Sequence, residues 1–165
     1  MPQTEKQYYE LLKASMEEAF LTKVDSVHFE ITANRQFTNQ LKSEIPSNRD
    51  IIFCFLQTSA PDITGFVRRE VGVDFIVVEL KTQPLRLQDI YQTRRYADLF
   101  QSKFAFLVSL QPIREEIKRL HEVVDELLNF PTIYREFTLL QFEPEDEKLL
   151  GWYPRNPFKT DWFWD

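Results

Sequence analysis

Apolar residues recur at two different spacings in the first third of the chain. Over residues 4–23 they return every three or four positions, which predicts an amphipathic helix. Residues 27–31 instead alternate between apolar and polar, the pattern of a half-buried strand. The polar stretch 34–50 contains Pro46 and predicts a loop with at most a short helical turn. The helical stripe consists of Tyr8, Leu11, Leu12, Met16, Ala19 and Phe20.

The middle of the chain predicts a series of strands. Residues 51–56 form a continuous apolar run, and residues 74–81 include consecutive β-branched and aromatic side chains; both patterns are typical of buried strands. Residues 63–71 are mixed, and Gly72 separates them from the next strand. We therefore predict that the segments 63–71 and 74–81 form an antiparallel hairpin.

Helical and strand patterns alternate in the rest of the chain. A helix over 84–102 begins at a proline, a residue favoured in the first helical turn, and a second helix is predicted over 112–129. Apolar segments at 104–110 and 132–142 predict the strands that follow these helices. The aromatic tail from Trp152 to Trp164 has no assignable pattern. This order of elements predicts an α/β fold in which helices flank a mixed central β-sheet.

Composition narrows the class of protein. The length of 165 residues suits one domain with a single core, so we predict a single domain over 1–165. Cys54 is the only cysteine, which excludes an internal disulfide, and its place in an apolar run predicts that it is buried. The lone cysteine and the polar N-terminus favour a reducing, cytoplasmic setting. No apolar run approaches the length of a membrane helix.

The formal net charge of -6 argues against a protein that coats nucleic acid by charge alone. It is compatible with a site that holds metal ions between carboxylates, because bound cations reverse the local sign of the field. With only three glycines, the chain also contains no glycine-rich phosphate-binding loop.

One group of residues combines two carboxylates with an ammonium. Glu79 and Lys81 project to the same face at the end of their predicted strand, because residues two apart share a face. Antiparallel pairing brings Asp62, at the start of the neighbouring strand, beside Glu79. Carboxylate oxygens bind Mg²⁺ or Mn²⁺, such a metal polarises a phosphoryl oxygen and activates water, and a lysine can stabilise the developing negative charge. These groups predict phosphodiester hydrolysis.

Each of these residues also has a plain structural interpretation. Glu79 and Lys81 could be a solvent-exposed pair that contributes little, and Asp62 could be a turn residue. Gln92 and Tyr96, one helical turn apart, could belong to an exposed polar stripe. The apolar run before Glu79 predicts a central strand, however, and charges that end such a strand usually line a cleft. We therefore favour the functional interpretation.

The same residues resemble the motifs of a known family. PD at 61–62, followed by ELK at 79–81 at the end of a strand, resembles the motif of the PD-(D/E)xK nuclease superfamily. QTRRY at 92–96 resembles the Q-x-x-x-Y helix of its RecB-like members. The similarity covers residues 51–110, and the N-terminal helix matches the family's first core helix. It implies a restriction-endonuclease-like sandwich with a central mixed sheet.

The resemblance also implies an activity, that of a deoxyribonuclease with Mg²⁺ or Mn²⁺ as cofactor. Asp62 and Glu79 would hold the metal, and Lys81, Gln92 and Tyr96 would complete the catalytic set. DNA would be the partner.

Further site residues follow from the resemblance. Members of the superfamily often add an acidic residue from the first helix, for which Glu10, Glu17 and Glu18 are available. We favour Glu17 as a third metal ligand because it borders the apolar stripe at Met16. Basic residues on or beside the following helix would contact DNA phosphates: Arg86, Arg94, Arg95 and Lys103.

Two other functions remain open from the sequence. A nuclease-like fold without catalysis could bind nucleic acid or serve as a subunit of a larger complex, and the negative net charge favours this interpretation. A Holliday-junction resolvase uses the same fold as a homodimer, for which the aromatic tail could supply the interface. The intact set of Asp62, Glu79 and Lys81 favours the enzyme.

Overall fold

A six-stranded mixed sheet runs through the centre of the computed structural model, which describes residues 4–132 and 134–164. The strands are β1 (His28–Ile31), β2 (Ile63–Arg68), β3 (Val73–Lys81), β4 (Phe104–Ser109), β5 (Glu136–Glu143) and β6 (Lys148–Tyr153). They lie side by side in sequence order. β3, β4 and β5 are parallel to one another, whereas the pairs β1–β2, β2–β3 and β5–β6 are antiparallel.

Helices cover both faces of this sheet. They are α1 (Tyr9–Leu21), α2 (Asn39–Ser43), α3 (Ile52–Phe55), α4 (Leu87–Phe100) and α5 (Glu115–Val123), with 3-10 turns at Glu5–Tyr8, Ser47–Arg49, Pro157–Lys159 and Asp161–Phe163. α1 packs on one face, and α4 and α5 pack on the other. The predicted α/β fold with a mixed central sheet and flanking helices is thus confirmed. Among the described residues, no helix has the length and apolar character needed to cross a membrane.

Each face of the sheet has its own apolar core, because residues alternate between the two faces along every strand. On the α1 face, Phe20 is fully buried and its ring centre lies 5.4 Å from that of Phe104. On the α4 face, Ala97 and Phe100 are fully buried. The central strands β3 and β4 contribute to both cores, which explains their nearly continuous apolar sequences.

The run 51–56 contains a short helix, Ile52–Phe55, and the prediction of a strand there is wrong. The run forms α3 and its flanks, in which Ile52 and Leu56 are buried one helical turn apart. Phe55 is exposed, and so is Cys54, contrary to its predicted burial. A short apolar run does not distinguish a buried strand from a helix by periodicity alone. Tertiary packing decided the outcome here, because only one stripe of the run meets the core.

The other predicted elements are present, with shifted ends. The strand expected over 63–71 ends at Arg68, and the helix expected over 112–129 ends at Val123. The predicted loop 34–50 contains α2 and one 3-10 turn. Element ends depend on turn geometry and tertiary contacts that an apolar pattern does not record.

The aromatic tail extends the sheet as β6 and then covers the α1 face. The ring of Trp164 stacks on Phe104 with centres 4.9 Å apart, and Phe158 lies 5.1 Å from Phe20. Phe163 is buried in the same core. The tail therefore completes the core on the side that α1 leaves open.

A glycine allows β1 and β2 to approach closely. Gly65 pairs with Phe29 across the two strands. A Cβ atom added at Gly65 would lie 2.5 Å from a ring carbon of Phe29 and 2.6 Å from the carbonyl oxygen of His28. Phe29 is itself buried, so its ring has little room to move away.

We expect Gly65→Ala to destabilise the protein by about 1–3 kcal/mol, the usual cost of overpacking a filled core. Urea unfolding followed by tryptophan fluorescence measures the change. Val71→Ala is the control, because Val71 is 92% exposed and its truncation should change stability by less than about 0.5 kcal/mol. An unchanged urea midpoint for Gly65→Ala would contradict the close packing of β1 on β2.

Candidate active site

The register between β2 and β3 places Asp62 opposite Glu79. Ile63 pairs with Val78 in this antiparallel pair, so the next two residues outward are Asp62 and Glu79. The backbone N–H of Asp62 donates to Oε1 of Glu79 at 2.8 Å. Lys81 lies two residues further along β3 and projects to the same face as Glu79, towards α4.

The main chain of Asp62 is also held from the side of β1. The N–H groups of Thr32 and Ala33, directly after β1, donate to the carbonyl oxygen of Asp62 at 2.8 and 3.2 Å. The Thr32 hydroxyl donates to the carbonyl oxygen of Pro61 at 2.6 Å. The Pro61–Asp62 segment is therefore fixed between the ends of β1 and β3.

Backbone groups connect the two carboxylates. The N–H of Leu80 donates to Oδ2 of Asp62 at 2.8 Å, in addition to the bond from Asp62 to Glu79. The Tyr9 hydroxyl, at the start of α1, donates to Oδ1 of Asp62 at 2.9 Å. Oε2 of Glu79 lies 3.9 Å from Nζ of Lys81. Each carboxylate thus has one oxygen on a backbone N–H and the other among side chains.

Lys81 lies among three polar side chains. Its Nζ is 3.9 Å from Oε2 of Glu79 and 3.9 Å from Oδ1 of Asp89, and it donates to Oε1 of Gln92 at 3.4 Å. Asp89 is buried, and its Oδ2 accepts the backbone N–H of Arg86 at 2.8 Å at the start of α4. The ammonium is therefore positioned by α4 as well as by β3.

Gln92 and Tyr96 continue these contacts along α4. They lie four residues apart and share a face of the helix. Nε2 of Gln92 donates to the Tyr96 hydroxyl at 3.3 Å, and that hydroxyl also contacts the hydroxyl of Ser59. The ring of Tyr96 is buried in the core below.

These side chains line one cavity of about 210 Å³ at the end of β3, which we call the site cavity. The structure brings together in its wall the five residues that the sequence suggested as catalytic: Asp62, Glu79, Lys81, Gln92 and Tyr96.

The N-terminal acid that reaches the site cavity is Glu5 and not Glu17. Glu17 forms an ion pair with Lys13 at 3.1 Å, one turn away on α1. Glu5 lies in the 3-10 turn before α1 and lines the cavity. Glu17 borders the apolar stripe of α1, as predicted, but its ion pair with Lys13 lies outside the cavity wall, whereas Glu5 precedes the stripe.

Lys103 lies at the opposite end of the sheet, so its expected contact with DNA beside the site is not supported. Its backbone N–H donates to the carbonyl oxygen of Phe75 at 2.9 Å. Lys81 comes six residues after Phe75 in β3, a distance of about 20 Å along the strand. The Nζ of Lys103 forms an ion pair with Asp74 at 3.6 Å and donates to the carbonyl oxygen of Phe163. Burial lowers the pKa of Lys103. This lysine holds the C-terminal tail, beside a cavity of about 910 Å³.

The three predicted phosphate-binding arginines have different surroundings. Arg94 donates to the carbonyl oxygen of Asn129 at 2.9 Å and thereby ties α4 to the segment after α5, away from the site cavity. Arg95 donates to the Ser59 hydroxyl at 3.4 Å, and Ser59 belongs to the cavity wall. Arg86 lies at the start of α4 with 59% of its side chain exposed.

The cavity wall also includes Tyr9, Arg35 and Ser59, which the sequence analysis did not predict as site residues. Tyr9 lies three residues before Leu12 on the buried stripe of α1, so its spacing is that of an ordinary core residue. The one signal in its favour is that a buried tyrosine requires a partner for its hydroxyl. Arg35 and Ser59 lie in loops, where no periodicity relates a residue to a surface.

Burial raises the pKa of both carboxyl groups. Desolvation is the largest cause for Glu79, whose pKa is well above its usual range; the charge of Asp62 raises it further, and Lys81 acts in the opposite direction. The pKa of Asp62 is also raised by burial, against the lowering effect of the Leu80 N–H and the Tyr9 hydroxyl. Burial and the charge of Asp62 raise the pKa of Tyr9, which remains a protonated donor.

The donor set fits a hard divalent cation such as Mg²⁺ or Mn²⁺. Asp62 and Glu79 present carboxylate oxygens to one cavity, and Mg²⁺ is commonly held by one or two carboxylates while it keeps several waters. A cation there would offset the repulsion that raises the pKa of Glu79. Within residues 4–132 and 134–164, no group of three or more His, Cys, Asp or Glu side chains is arranged to hold a metal. An ion held by Asp62 and Glu79 would keep several of its waters.

Comparison of the chain with protein-family models, with curated proteins and with solved structures gave no match.

We expect Glu79→Gln to stabilise the metal-free protein at alkaline pH. A carboxyl whose pKa is raised by folding binds its proton more tightly in the folded state, so its ionisation lowers stability as the pH rises above the ordinary value of 4.5. Glutamine avoids this ionisation and keeps Oε1 as an acceptor for the Asp62 N–H. Thermal unfolding in EDTA should show a higher Tm for the variant at about pH 8 and a smaller difference at about pH 5.

Glu145→Gln is the matched control, because Glu145 is exposed and a substitution there should leave the Tm nearly unchanged. A Tm difference for Glu79→Gln that stays constant with pH would contradict the burial of an ionisable Glu79.

Proposed function

We propose that this chain is a metal-dependent nuclease of the PD-(D/E)xK type, with a restriction-endonuclease-like fold, that hydrolyses phosphodiester bonds of DNA. The observation that carries the proposal is the meeting of Asp62, Glu79 and Lys81 in one cavity at the end of β3. Burying a carboxylate whose pKa is raised costs stability, even where an ammonium lies nearby. Groups with such shifted pKa values cluster at catalytic sites.

The elements around the site cavity support the same proposal. α4 follows β3 directly and brings Gln92 within 3.4 Å of Lys81, as the RecB-like motif would require. Tyr9 from α1 contacts Asp62, so the first helix also contributes to the site. The two motifs lie in different elements, β3 with its preceding strand and α4, and their side chains line the same cavity.

A divalent ion held by Asp62 and Glu79 would polarise the phosphoryl oxygen and lower the pKa of a bound water. The Tyr9 hydroxyl and the Leu80 N–H keep Asp62 oriented and favour its ionised form. Lys81 provides a positive charge beside the carboxylates, where it stabilises the negative charge that develops on the phosphate during attack. Gln92 holds this lysine in place through its side-chain oxygen.

We expect Lys81→Met to lower the cleavage rate by about 10²–10³ while metal binding remains, because both carboxylates stay in place. Glu79→Ala removes a metal ligand and should lower Mn²⁺ affinity and cleavage together. Cleavage of single-stranded, double-stranded and four-way-junction DNA with Mn²⁺, combined with calorimetric Mn²⁺ titration, measures both effects. Preference for the junction would identify a resolvase.

Lys159→Met is the matched control, because Lys159 is exposed on the C-terminal tail and should leave cleavage and metal binding unchanged. If the wild type binds DNA but cuts none of these substrates, and both site variants bind DNA equally well, a nuclease-like binding or assembly subunit is the better account.

A further inference from the structure

A second cavity adjoins the site cavity at Lys81. It has a volume of about 420 Å³, and we call it the outer cavity. Glu5 and Lys81 line both cavities. The outer cavity also includes Arg86 at the start of α4 and Arg114 just before α5. Lys81 therefore lies where two adjoining depressions meet, and the other candidate catalytic groups line the inner one.

Exposed positive charges lie on both sides of the carboxylates. On one side Arg35 lines the site cavity, and Arg95 contacts its wall at Ser59. On the other side the side chains of Arg86 and Arg114 are 59% and 50% exposed. Of the acids between them, Glu79 and Asp89 are buried and hydrogen-bonded, whereas Asp62 and Glu5 are half-buried.

The side chains of these four arginines make few contacts that would stabilise the fold. Arg114 lies 3.2 Å from the exposed Glu116, and a surface ion pair of this kind contributes little to stability. Arg86 is 59% exposed and lies 3.7 Å from the buried Asp89, beyond hydrogen-bonding distance. Arg94 differs, because its guanidinium donates to backbone carbonyls. Positive charge exposed around one site of a chain with a net charge of -6 indicates an anionic ligand at that site.

Arg35 is held towards the site by the segment that also holds Asp62. It has a left-handed backbone with φ of 67°, and its N–H donates to the carbonyl oxygen of Thr32 at 2.8 Å. Thr32 in turn donates its own N–H to Asp62. The turn after β1 therefore positions a carboxylate and an arginine together.

The outward face of α4 adds an aromatic ring. Tyr91 is 56% exposed and precedes Arg95 by one helical turn on that face. An exposed aromatic ring beside an arginine can stack on a nucleic-acid base, but only on a base that is not stacked within a duplex. This residue favours an unpaired strand over a double helix.

We propose that the chain binds a single DNA strand across both cavities, with Arg35 and Arg95 on phosphates at one side of the cut bond and Arg86 and Arg114 on phosphates at the other. This proposal rests on the proposed nuclease function and specifies its substrate as single-stranded DNA. Tyr91 supplies a stacking surface for one base. The arginines bind substrate, whereas Asp62, Glu79 and Lys81 act on the bond.

The test measures binding of a fluorescent single-stranded oligonucleotide in EDTA as a function of KCl concentration. Each phosphate contact contributes about 0.7 to the slope of log K against log salt for a single strand. The double variants Arg35→Gln/Arg95→Gln and Arg86→Gln/Arg114→Gln should each reduce this slope by about 1.4. Tyr91→Ala should weaken single-strand binding about tenfold without a change in slope.

Arg68→Gln/Lys159→Gln is the matched control, because both residues are exposed and lie outside the two cavities. It should keep the wild-type slope. If both arginine variants keep the wild-type slope, the proposed arginine–phosphate contacts, which we call the phosphate path, are wrong. If duplex DNA binds as tightly as single-stranded DNA and Tyr91→Ala has no effect, the proposed substrate is wrong.

Cleavage assays separate this proposal from the nuclease function. If the wild type cuts DNA and the arginine variants bind normally, the phosphate path is wrong and the nuclease function stands. If the wild type cuts nothing and the arginine pairs still carry the salt dependence, the path is right and the proposed hydrolysis is wrong.

Discussion

The antiparallel register between β2 and β3 is the constraint on which the candidate site depends, because it decides which residues end the two strands side by side. Side chains alternate between faces along a strand, so a slip of one residue would turn Glu79 and Lys81 towards α1 and the Leu80 side chain towards α4. Hydrogen bonds from the Leu80 N–H to Asp62 and from the Asp62 N–H to Glu79 oppose such a slip. The carboxylates therefore help to hold the register that positions them.

The same two carboxylates are costly for the metal-free fold, since burial and mutual repulsion raise the pKa of Glu79 and burial raises that of Asp62. Two apolar cores offset this cost. Phe20 and Phe104 occupy one side of the sheet and Phe100 the other, each almost fully buried. Strands packed on both faces are stiff supports, and groups held on stiff supports need little reorganisation when charge develops in a reaction.

α4 connects the core, the candidate site and the surface. Ala97 and Phe100 face the core, Gln92 faces Lys81, and Arg95 faces outward beside the site cavity. A helix presents several faces along a short length, so one element can meet all these requirements. Because α4 also follows β3 directly, the distance between the lysine and its glutamine partner is set by the short connection between two neighbouring elements.

The sequence by itself determined the central strands, the α/β class, and the fact that Glu79 and Lys81 share a face, because each of these depends on periodicity within a single element. Only the tertiary structure decided that Ile52–Phe55 form a helix, that Glu5 reaches the site cavity, and that Lys103 lies at the far end of the sheet. Those facts depend on distances between elements. Such distances follow from strand register, from the parallel order of β3 and β4, and from the paths of loops, and no local pattern of apolar and polar residues records them.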